Sequence, residues 1–364
     1  MNVSVALAQE IVEQMKQIIN QEVNYMNQKG VIIASTDPNR IGNFHGGAKT
    51  VIETNQKLII DYDKQFTGTK KGINVPVKME NETIGVIGIT GEKEEVEKYG
   101  EIIKKMTEIL IKENYLNTLS FRKREQDRLL IETLRQHKQW DEQTKIQLNL
   151  LDFDRSLNYT CVVGKPSSYF SNQEHVYHGL DHYFTHNQSC HYAVLQDTVY
   201  LLFKTNHAAT VTNELNKLNH FLFHELKLNY HFGISPVENL AVTIYQHFKQ
   251  AEHALTWALV EAQSIVFYQD MDLGLLITTL KTEAKTAFVD KMLGAIPENE
   301  REKLKEILLT YGANNKSITK SCETLFIHKN TCQYRLNKLK DYTGYDPKDI
   351  NDYVKLYLAF ILDD

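Results

Sequence analysis

The segment 317–340 has the residue types and spacing of two short helices, the second of which carries a cationic, amide-rich face. Ile318, Cys322 and Leu325 follow the helical period, and a new apolar period begins at Ile327. Arg and Lys side chains neutralise phosphates or bind guanine, and Asn and Gln pair with adenine. The pattern predicts a DNA-binding helix-turn-helix, and the residues predicted to contact DNA are His328, Lys329, Asn330, Thr331, Gln333, Tyr334, Arg335 and Lys338.

The positive charge of this segment is local. Six Lys or Arg residues lie within 316–340 against one acid, Glu323, whereas the whole chain has a net charge of −5. A solvated charged face on an ordinary helix pair would look the same by charge alone.

A longer string of residues favours DNA binding. The stretch 325–331, followed by 334–338 and by Thr343-Gly344, resembles the C-terminal helix-turn-helix of the PucR and CdaR (carbohydrate diacid regulator) family. Cys332 and Gln333 depart from the usual pattern, so the operator sequence does not carry over. The resemblance implies a double-stranded DNA operator as partner, and a homodimer that reads two half-sites.

Length and composition indicate a multidomain protein without a membrane segment. A chain of 364 residues with 42% hydrophobic and 24% charged residues is expected to form about two to four domains. Its apolar runs are far shorter than a membrane span, and residues 1–16 lack the features of a signal peptide. We therefore expect a cytoplasmic protein with no membrane partner, whose four cysteines are free thiols.

The first third of the chain has the pattern of a small α/β sensor. An amphipathic helix covers residues 8–19, and a second helix is predicted near 45–53. The four β-prone segments expected to form an antiparallel sheet are 31–35, 57–61, 74–78 and 83–90.

Two loops of this region have the chemistry of an anion site. Residues 36–47 combine arginine, histidine and three glycines, and residues 67–74 bring two lysines and an asparagine. Such groups suit a small multiply charged acid, because glycine backbones and a guanidinium fork converge readily on carboxylates. The alternative is that the glycines only serve turns and the polar side chains are ordinary surface residues.

Residues 5–135 as a whole resemble the sugar-diacid recognition domain of CdaR proteins, which implies a PAS-like sensor of sugar diacids or related hydroxy acids. Residues 30–45, 72–76 and 84–91 carry that resemblance. The effector-binding residues chosen by their chemistry are Arg40, Gly42, His45, Lys71, Asn74 and Thr90.

The middle of the chain indicates a helix followed by a mixed domain. Residues 96–150 are predicted as a long helix, either a lever and dimer seam or a helix packed on its own domain. Strands at 158–163, 191–195, 198–203 and 230–235 and a helix at 239–262 resemble the degenerate GGDEF-like domain of these regulators. The turn 195–199 lacks the glycine pair of a working cyclase and has one acid, Asp197. A packing and dimerisation module is therefore expected.

Histidines are frequent in this region, but no Cys or carboxylate completes a recognisable metal-ligand set around them. We therefore predict no metal and no cofactor. The histidines concerned, which we expect on the surface or in packing roles, are His175, His178, His182, His186 and His191.

Together these patterns predict an α+β multidomain fold. It comprises a PAS-like sensor with its exit helix (1–135), a degenerate GGDEF-like α/β domain (136–275) and an all-α helix-turn-helix domain (276–364). The predicted function is a ligand-responsive transcriptional regulator, an activator by family analogy, of genes for sugar-diacid or related hydroxy-acid (for example glycerate) uptake and catabolism. The alternatives are a nucleotide-processing enzyme acting through the middle domain, and a protein-interaction module without DNA binding.

Overall fold

The computed structural model describes residues 3–167, 173–184, 190–236 and 244–363. The chain divides into two compact units, Met1–Lys123 and Arg124–Asp364, which are described separately. Among the described residues, no helix is both long and apolar enough to cross a membrane.

The first unit is built on a five-stranded antiparallel sheet of order β2-β1-β5-β4-β3. The strands are β1 (Glu22–Met26), β2 (Ile32–Ser35), β3 (Leu58–Ile60), β4 (Gly72–Met79) and β5 (Glu82–Thr90). The helices are α1 (Val5–Ile19), α2 (Gly46–Thr54) and the first part of α3 (Lys93–Gln136).

Two apolar clusters bury the sheet of the first unit. The larger cluster joins α1 and α3 to the sheet through side chains such as Ile11, Val75 and Ile103. The smaller one joins α2 through Ala48 and Val51. Burial of these apolar surfaces fixes the loops that run between the sheet and α2.

The predicted sheet lacks one strand that the structure contains. Strand β1 lies between β2 and β5, and four of its five residues are buried. Its buried Asn24 accepts a hydrogen bond from Ser35 Oγ (2.7 Å), so a polar residue in the core is satisfied by a neighbouring strand. The predicted hairpin between β4 and β5 is confirmed, with Glu80 and Asn81 both at positive φ.

The long helix expected at 96–150 is interrupted. The structure has α3 (Lys93–Gln136) and a separate α4 (Glu142–Leu150), because Asp141 caps a new helix by accepting from Thr144 N at 2.7 Å.

The middle region of the second unit contains a second five-stranded sheet, of order β10-β9-β6-β8-β7, in which only β9 and β10 run parallel. Its strands are β6 (Thr160–Pro166), β7 (Cys190–Leu195), β8 (Thr198–Phe203), β9 (Tyr230–Ile234) and β10 (Ile265–Phe267). Its helices are α5 (Gln173–Phe184), α6 (Ala208–Leu226) and α7 (Ile244–Val260); residues 239–243 of the helix predicted at 239–262 lie outside the described residues.

The C-terminal region contains only helices among its described residues. They are α8 (Gly274–Ile277), α9 (Thr282–Leu293), α10 (Glu298–Ala313), α11 (Ile318–Thr324), α12 (Lys329–Thr343) and α13 (Ile350–Leu362).

The cysteine prediction is wrong for one pair. Cys322 of α11 and Cys332 of α12 form a disulfide, with their Cα atoms 6.1 Å apart. The two cysteines face each other on packed helices, and their Cα atoms lie within the range that a disulfide spans. The spacing of the cysteines along the chain does not reveal this proximity. Cys161 and Cys190 are buried and not disulfide-bonded.

Candidate DNA-binding surface and effector pocket

The pair α11–α12 has the geometry of a helix-turn-helix. Ser317 Oγ accepts from Lys320 N (3.4 Å), and His328 Nδ1 accepts from Asn330 N (3.2 Å), so both helices begin on side-chain caps. Gly344, at a φ of +78°, ends α12. The predicted apolar period is confirmed on α12, where Cys332, Leu336 and Leu339 are buried. The opposite face of α12 is therefore left to solvent.

Most of the predicted DNA-contacting residues share that exposed face. It begins at the N-terminus of α12 and is termed the polar face below. The residues that the structure exposes there are His328, Lys329, Asn330, Thr331, Gln333 and Tyr334.

One further amide extends the polar face. Asn337 is also exposed, and it lies seven residues after Asn330, two helical turns along the same side. The prediction missed it, although that spacing is visible in the sequence.

Arg335 and Lys338 are not grouped with the polar face. Arg335 Nη1 lies 3.5 Å from Glu306 Oε2, and Lys338 Nζ lies 3.1 Å from Glu300 Oε2, so both side chains turn toward α10. The Glu300 carboxylate raises the pKa of Lys338. Each of these two cations thus has a carboxylate partner on α10.

The remaining lysines of the segment 316–340 fall into two groups, those bound to other groups of the protein and those that are exposed. Lys316 Nζ donates to the Lys348 carbonyl (2.9 Å), and Lys340 Nζ lies 2.8 Å from Asp346 Oδ2. Lys320 and Lys329 are exposed and enter no ion pair with any residue that the structure describes. The polar face is thus rich in amides and carries less net positive charge than the composition suggests.

The second candidate site surrounds Arg40 in the first unit. Arg40 ends a short 3-10 helix, Pro38–Arg40, is only 8% exposed, and donates from Nη2 to the Gly68 carbonyl at 2.9 Å. It opens onto a cavity of about 700 Å³ that is otherwise lined by Lys64, Gln65, Phe66, Thr67, Gly68, Thr69 and Lys70. The arginine and this loop thus form a concave, cationic surface.

Gly68 makes the approach of the two loops possible. Its φ is +73°, and a Cβ there would lie 2.2 Å from the Phe44 carbonyl oxygen. A side chain at this position would push residues 64–70 away from the Arg40 loop.

His45 lies behind Arg40 at the start of α2. It is 3% exposed, and its Nδ1 accepts from Ala48 N at 3.0 Å. Burial, together with the Arg40 charge, lowers the pKa of His45 to about 4, so the ring is neutral at pH 7. Because Nδ1 is an acceptor, the neutral ring carries its proton on Nε2 and can donate from there.

Asn74 is brought close to the same helix start. It is buried on β4, and a Cβ on Gly47 would lie 3.2 Å from its Nδ2. A Cβ on Gly88 of the neighbouring strand would lie 2.7 Å from its Oδ1. Two glycines therefore leave room for the amide between α2 and the sheet.

The other predicted effector residues lie elsewhere. Lys71 bonds through Nζ to Glu92, and the cavity lining includes its neighbour Lys70 instead. Thr90 pairs with Glu22 and Gly72 at the end of β5, and Gly42 occupies an exposed turn at a φ of +85°. The structure thus brings Arg40, His45 and Asn74 to one end of α2. The sequence could not show which of Lys70 and Lys71 lines the cavity, because the two lysines are adjacent and of the same type.

Carboxylates balance the charge near Arg40. Lys70 Nζ lies 3.0 Å from Glu22 Oε2 and 3.7 Å from Asp37 Oδ2. Burial lowers the pKa of Arg40, and the nearby Glu22, Asp37 and Asp63 oppose that shift.

The neutral state of His45 leads to a pH prediction. Because its pKa is lower in the folded than in the unfolded protein, its contribution to stability is complete above about pH 6.5 and declines toward pH 4. The free energy of opening α2 should fall by about 2 kcal/mol between pH 7 and pH 5. Hydrogen exchange of segment 46–54, corrected for intrinsic rates, measures it.

The control variant is His45→Asn, which keeps an N-cap acceptor and removes the titrating ring. If the variant loses as much protection at pH 5 as the wild type, another group is responsible.

The middle region has a concave site of its own, of about 640 Å³, whose lining includes Arg128, Glu132 and Arg135. Asp197, the single acid of the β7–β8 turn, lies 2.8 Å from Lys165 Nζ, and this bond lowers its pKa. His191 Nδ1 contacts Asp127 Oδ1 at 2.8 Å, and His175, His178 and His182 lie on α5. His186 lies outside the described residues. Within the described ranges, no three His, Cys, Asp or Glu side chains are placed to hold a metal ion.

Three known families match consecutive parts of the chain. Residues 3–134 match the family described as "Putative sugar diacid recognition", residues 136–257 match "GGDEF-like domain", and residues 304–362 match "PucR C-terminal helix-turn-helix domain". The Arg40 cavity lies within the first match, and the polar face lies within the last.

Individual relatives cover most of the chain. It is 25% identical to the Carbohydrate diacid regulator of Escherichia coli (strain K12), over 98% of this chain and 97% of that protein. It is 26% identical to YsfB of Bacillus subtilis (strain 168), over 97% of this chain and 96% of that protein. The Proline-responsive transcriptional activator PutR of B. subtilis is 26% identical over 44% of this chain and 41% of its own. Two of these relatives are thus similar along nearly their whole length.

Proposed function

This chain belongs to the carbohydrate diacid regulator (CdaR) family of transcriptional regulators, and we propose that a small hydroxy acid or diacid controls its binding to operator DNA. By analogy with that family, the proposed outcome is activation of genes for uptake and catabolism of the acid.

The observation that carries the DNA proposal is the polar face of α12. It presents amides and a lysine at the N-terminus of the second helix, the part that a helix-turn-helix inserts in the major groove. Asn330 and Gln333 have the groups for bidentate contacts with adenine, and Lys329 for a phosphate or guanine. A single module buries a small area, so we propose a homodimer on two half-sites.

The effector proposal is supported by the cavity at Arg40. Arg40 lines the cavity, and its guanidinium fork matches a carboxylate. His45 and Asn74 are buried outside the cavity lining, and we propose that the His45 Nε2–H and the Asn74 amide supply uncharged hydrogen bonds to hydroxyl groups of an acid that reaches past Arg40. We assign Arg40, His45 and Asn74 to the acid and add Lys70; Gly42, Lys71 and Thr90 stay predictions at the margin of the site. The antiparallel sheet with helices on both faces supports a PAS-like domain.

The proposed domains are 1–135, 136–275 and 276–364, an assignment supported by the order of the matched families. The acid would act by shifting an equilibrium between two states of the sensor and α3, by as much as its affinities for the two states differ.

We propose that the middle domain is a packing module without enzymatic activity. Its hairpin turn has no glycine pair, and Lys165 already occupies its one carboxylate, Asp197. Incubation with labelled GTP tests the alternative, since turnover would identify an enzyme.

The first experiment is thermal melting of the full chain with glucarate, galactarate, glycerate, glycolate, malate and citrate. A ligand that binds only the folded state stabilises it by about 2.7 kcal/mol at a hundredfold excess over Kd. A rise in Tm with one acid identifies the effector class, and DNA footprinting with and without that acid then tests control of operator binding. No rise with any acid would contradict the effector proposal alone.

The ion pairs of α10 lead to a prediction about DNA affinity. Glu306→Gln should release Arg335 to contact a phosphate, so that affinity for non-specific duplex DNA rises. The slope of log K against log salt should then steepen by about 0.9. The measurement is fluorescence anisotropy of a labelled duplex over a salt series.

Glu302→Gln is the matched control, because Glu302 is exposed on the same helix and the substitution changes the net charge equally. Equal changes in both variants would mean that net charge alone, and not the release of Arg335, is responsible.

A further inference from the structure

Phe326, in the turn between α11 and α12, combines two unfavourable features. Its side chain is 96% exposed, and its backbone φ is +52°. A left-handed backbone is uncommon for a residue with a bulky side chain, and full exposure leaves an aromatic ring without apolar contacts.

The backbone around Phe326 explains the conformation but not the residue type. Ile327 N donates to the Cys322 carbonyl (3.0 Å), and Phe326 N donates to the Glu323 carbonyl (3.2 Å). This is the hydrogen-bond pattern of a Schellman motif, in which the left-handed residue is usually glycine. Neither helix capping nor core packing accounts for an aromatic ring here.

The ring lies beside a groove that adjoins the polar face. The groove has a volume of about 520 Å³ and is lined by Thr319, Cys322, Glu323, Phe326, Ile327 and Lys329. Thr319 and Glu323 lie one turn apart on α11, Phe326 follows in the turn, and Lys329 begins α12. The surface is therefore continuous with the residues assigned to the major groove.

The position of the groove favours nucleic acid as its occupant, because it adjoins the polar face, while its own lining carries one cation, Lys329, and one acid, Glu323. The N-terminus of α12 carries the positive end of the helix dipole, and Lys329 there enters no ion pair among the described residues. The apolar feature that the major groove presents is the C5-methyl group of thymine, which aromatic side chains contact.

We propose that Phe326 is a specificity-determining residue that packs against a thymine methyl group at the edge of each half-site. The inference rests on the proposed DNA binding and adds a base that the polar face does not contact. An aromatic ring projecting from a turn would approach the base edge while the amides of α12 bind neighbouring bases.

The test compares Phe326→Gly and Phe326→Asn with wild type. Both residues accept a left-handed backbone, so Tm should be unchanged or higher while operator affinity falls about tenfold. Phe326→Tyr keeps the ring and should bind as wild type. The operator is first located by footprinting the DNA upstream of the gene that encodes this protein, with the wild-type protein.

A second arm replaces each thymine of the operator singly by uracil, which lacks only the methyl group. The wild type should lose affinity, by a few-fold, at one thymine per half-site. Phe326→Gly should be indifferent to that same replacement, so that the two changes are not additive.

Unchanged operator affinity of Phe326→Gly would overturn the inference. If the variant also lost transcription while its operator affinity stayed unchanged, that result would indicate that Phe326 contacts a protein partner instead. Equal sensitivity of both proteins to every uracil would also overturn it. If the wild type itself binds no duplex, the DNA proposal fails and the inference fails with it, and the wild-type arm identifies that case.

Discussion

Replacing Asn330 and Gln333 together by alanine is expected to lower operator affinity by two orders of magnitude or more. Both amides are exposed on the polar face of α12, one helical turn apart. Each bidentate contact with a base contributes about 1–3 kcal/mol of discrimination, so the two together outweigh any single phosphate contact. Competition footprinting of operator against non-specific duplex measures the loss, and non-specific affinity should change little.

The matched control for this pair is Lys340→Ala. Lys340 is exposed on the same helix, but its Nζ is bound to Asp346 near the C-terminal end. It should keep operator affinity within a few-fold. If the double variant protects the operator at the wild-type concentration, α12 does not read bases through its polar face.

Substituting Arg40 by glutamine is expected to abolish the response to the acid while leaving operator binding intact. Glutamine keeps a polar amide in this position but is two atoms shorter, so it loses both the charge and the contact of Arg40 Nη2 with the Gly68 carbonyl at 2.9 Å. Hydrogen bonds to charged groups contribute about 1.5–3 kcal/mol, which corresponds to a tenfold or larger loss of effector affinity. The ligand-induced rise in Tm and the dose-response of operator binding are the two measurements.

Two lysines provide the control for the Arg40 experiment. Both lysines are paired with carboxylates, Lys70 with Glu22 and Lys71 with Glu92, so they differ in position. Lys70→Gln should weaken the effector response, since Lys70 lines the cavity, whereas Lys71→Gln should leave it nearly unchanged, since Lys71 is not part of that lining. An unchanged dose-response in Arg40→Gln, measured with a folded variant, would place the effector elsewhere. Equal losses in the two lysine variants would instead indicate a general electrostatic effect.

Local features of the fold could be predicted from sequence. The start of α11 at Ser317, the buried face of α12 and the hairpin turn at Glu80-Asn81 all depend on residues a few positions apart, whereas the cap at His328 was not predicted. Propensity, capping and periodicity act over that distance. The family resemblance also allowed the order of the domains to be predicted, because a long matching string of residues identifies a family more specifically than composition does.

Features that depend on distant residues could not be predicted. Strand β1 was missed because its polar Asn24 breaks the apolar pattern until Ser35 of β2 satisfies it. The break before α4 was missed for another reason, because its cap, Asp141, is local but stands within an otherwise helical sequence. A contact between strands in the first case and a single residue in the second outweighed the periodicity.

The sequence by itself determined the local elements, and it predicted a DNA-reading helix pair in the C-terminal part and a sensor whose two polar loops carry Arg40, Lys70 and Lys71. Only the tertiary structure decided what each cation and thiol contacts. Arg335 and Lys338 are paired with α10, Lys70 and not Lys71 lines the Arg40 cavity, and Cys332 meets Cys322. The physical reason is that a charge or thiol is defined chemically by its neighbours in space, and folding chooses those neighbours from distant parts of the chain.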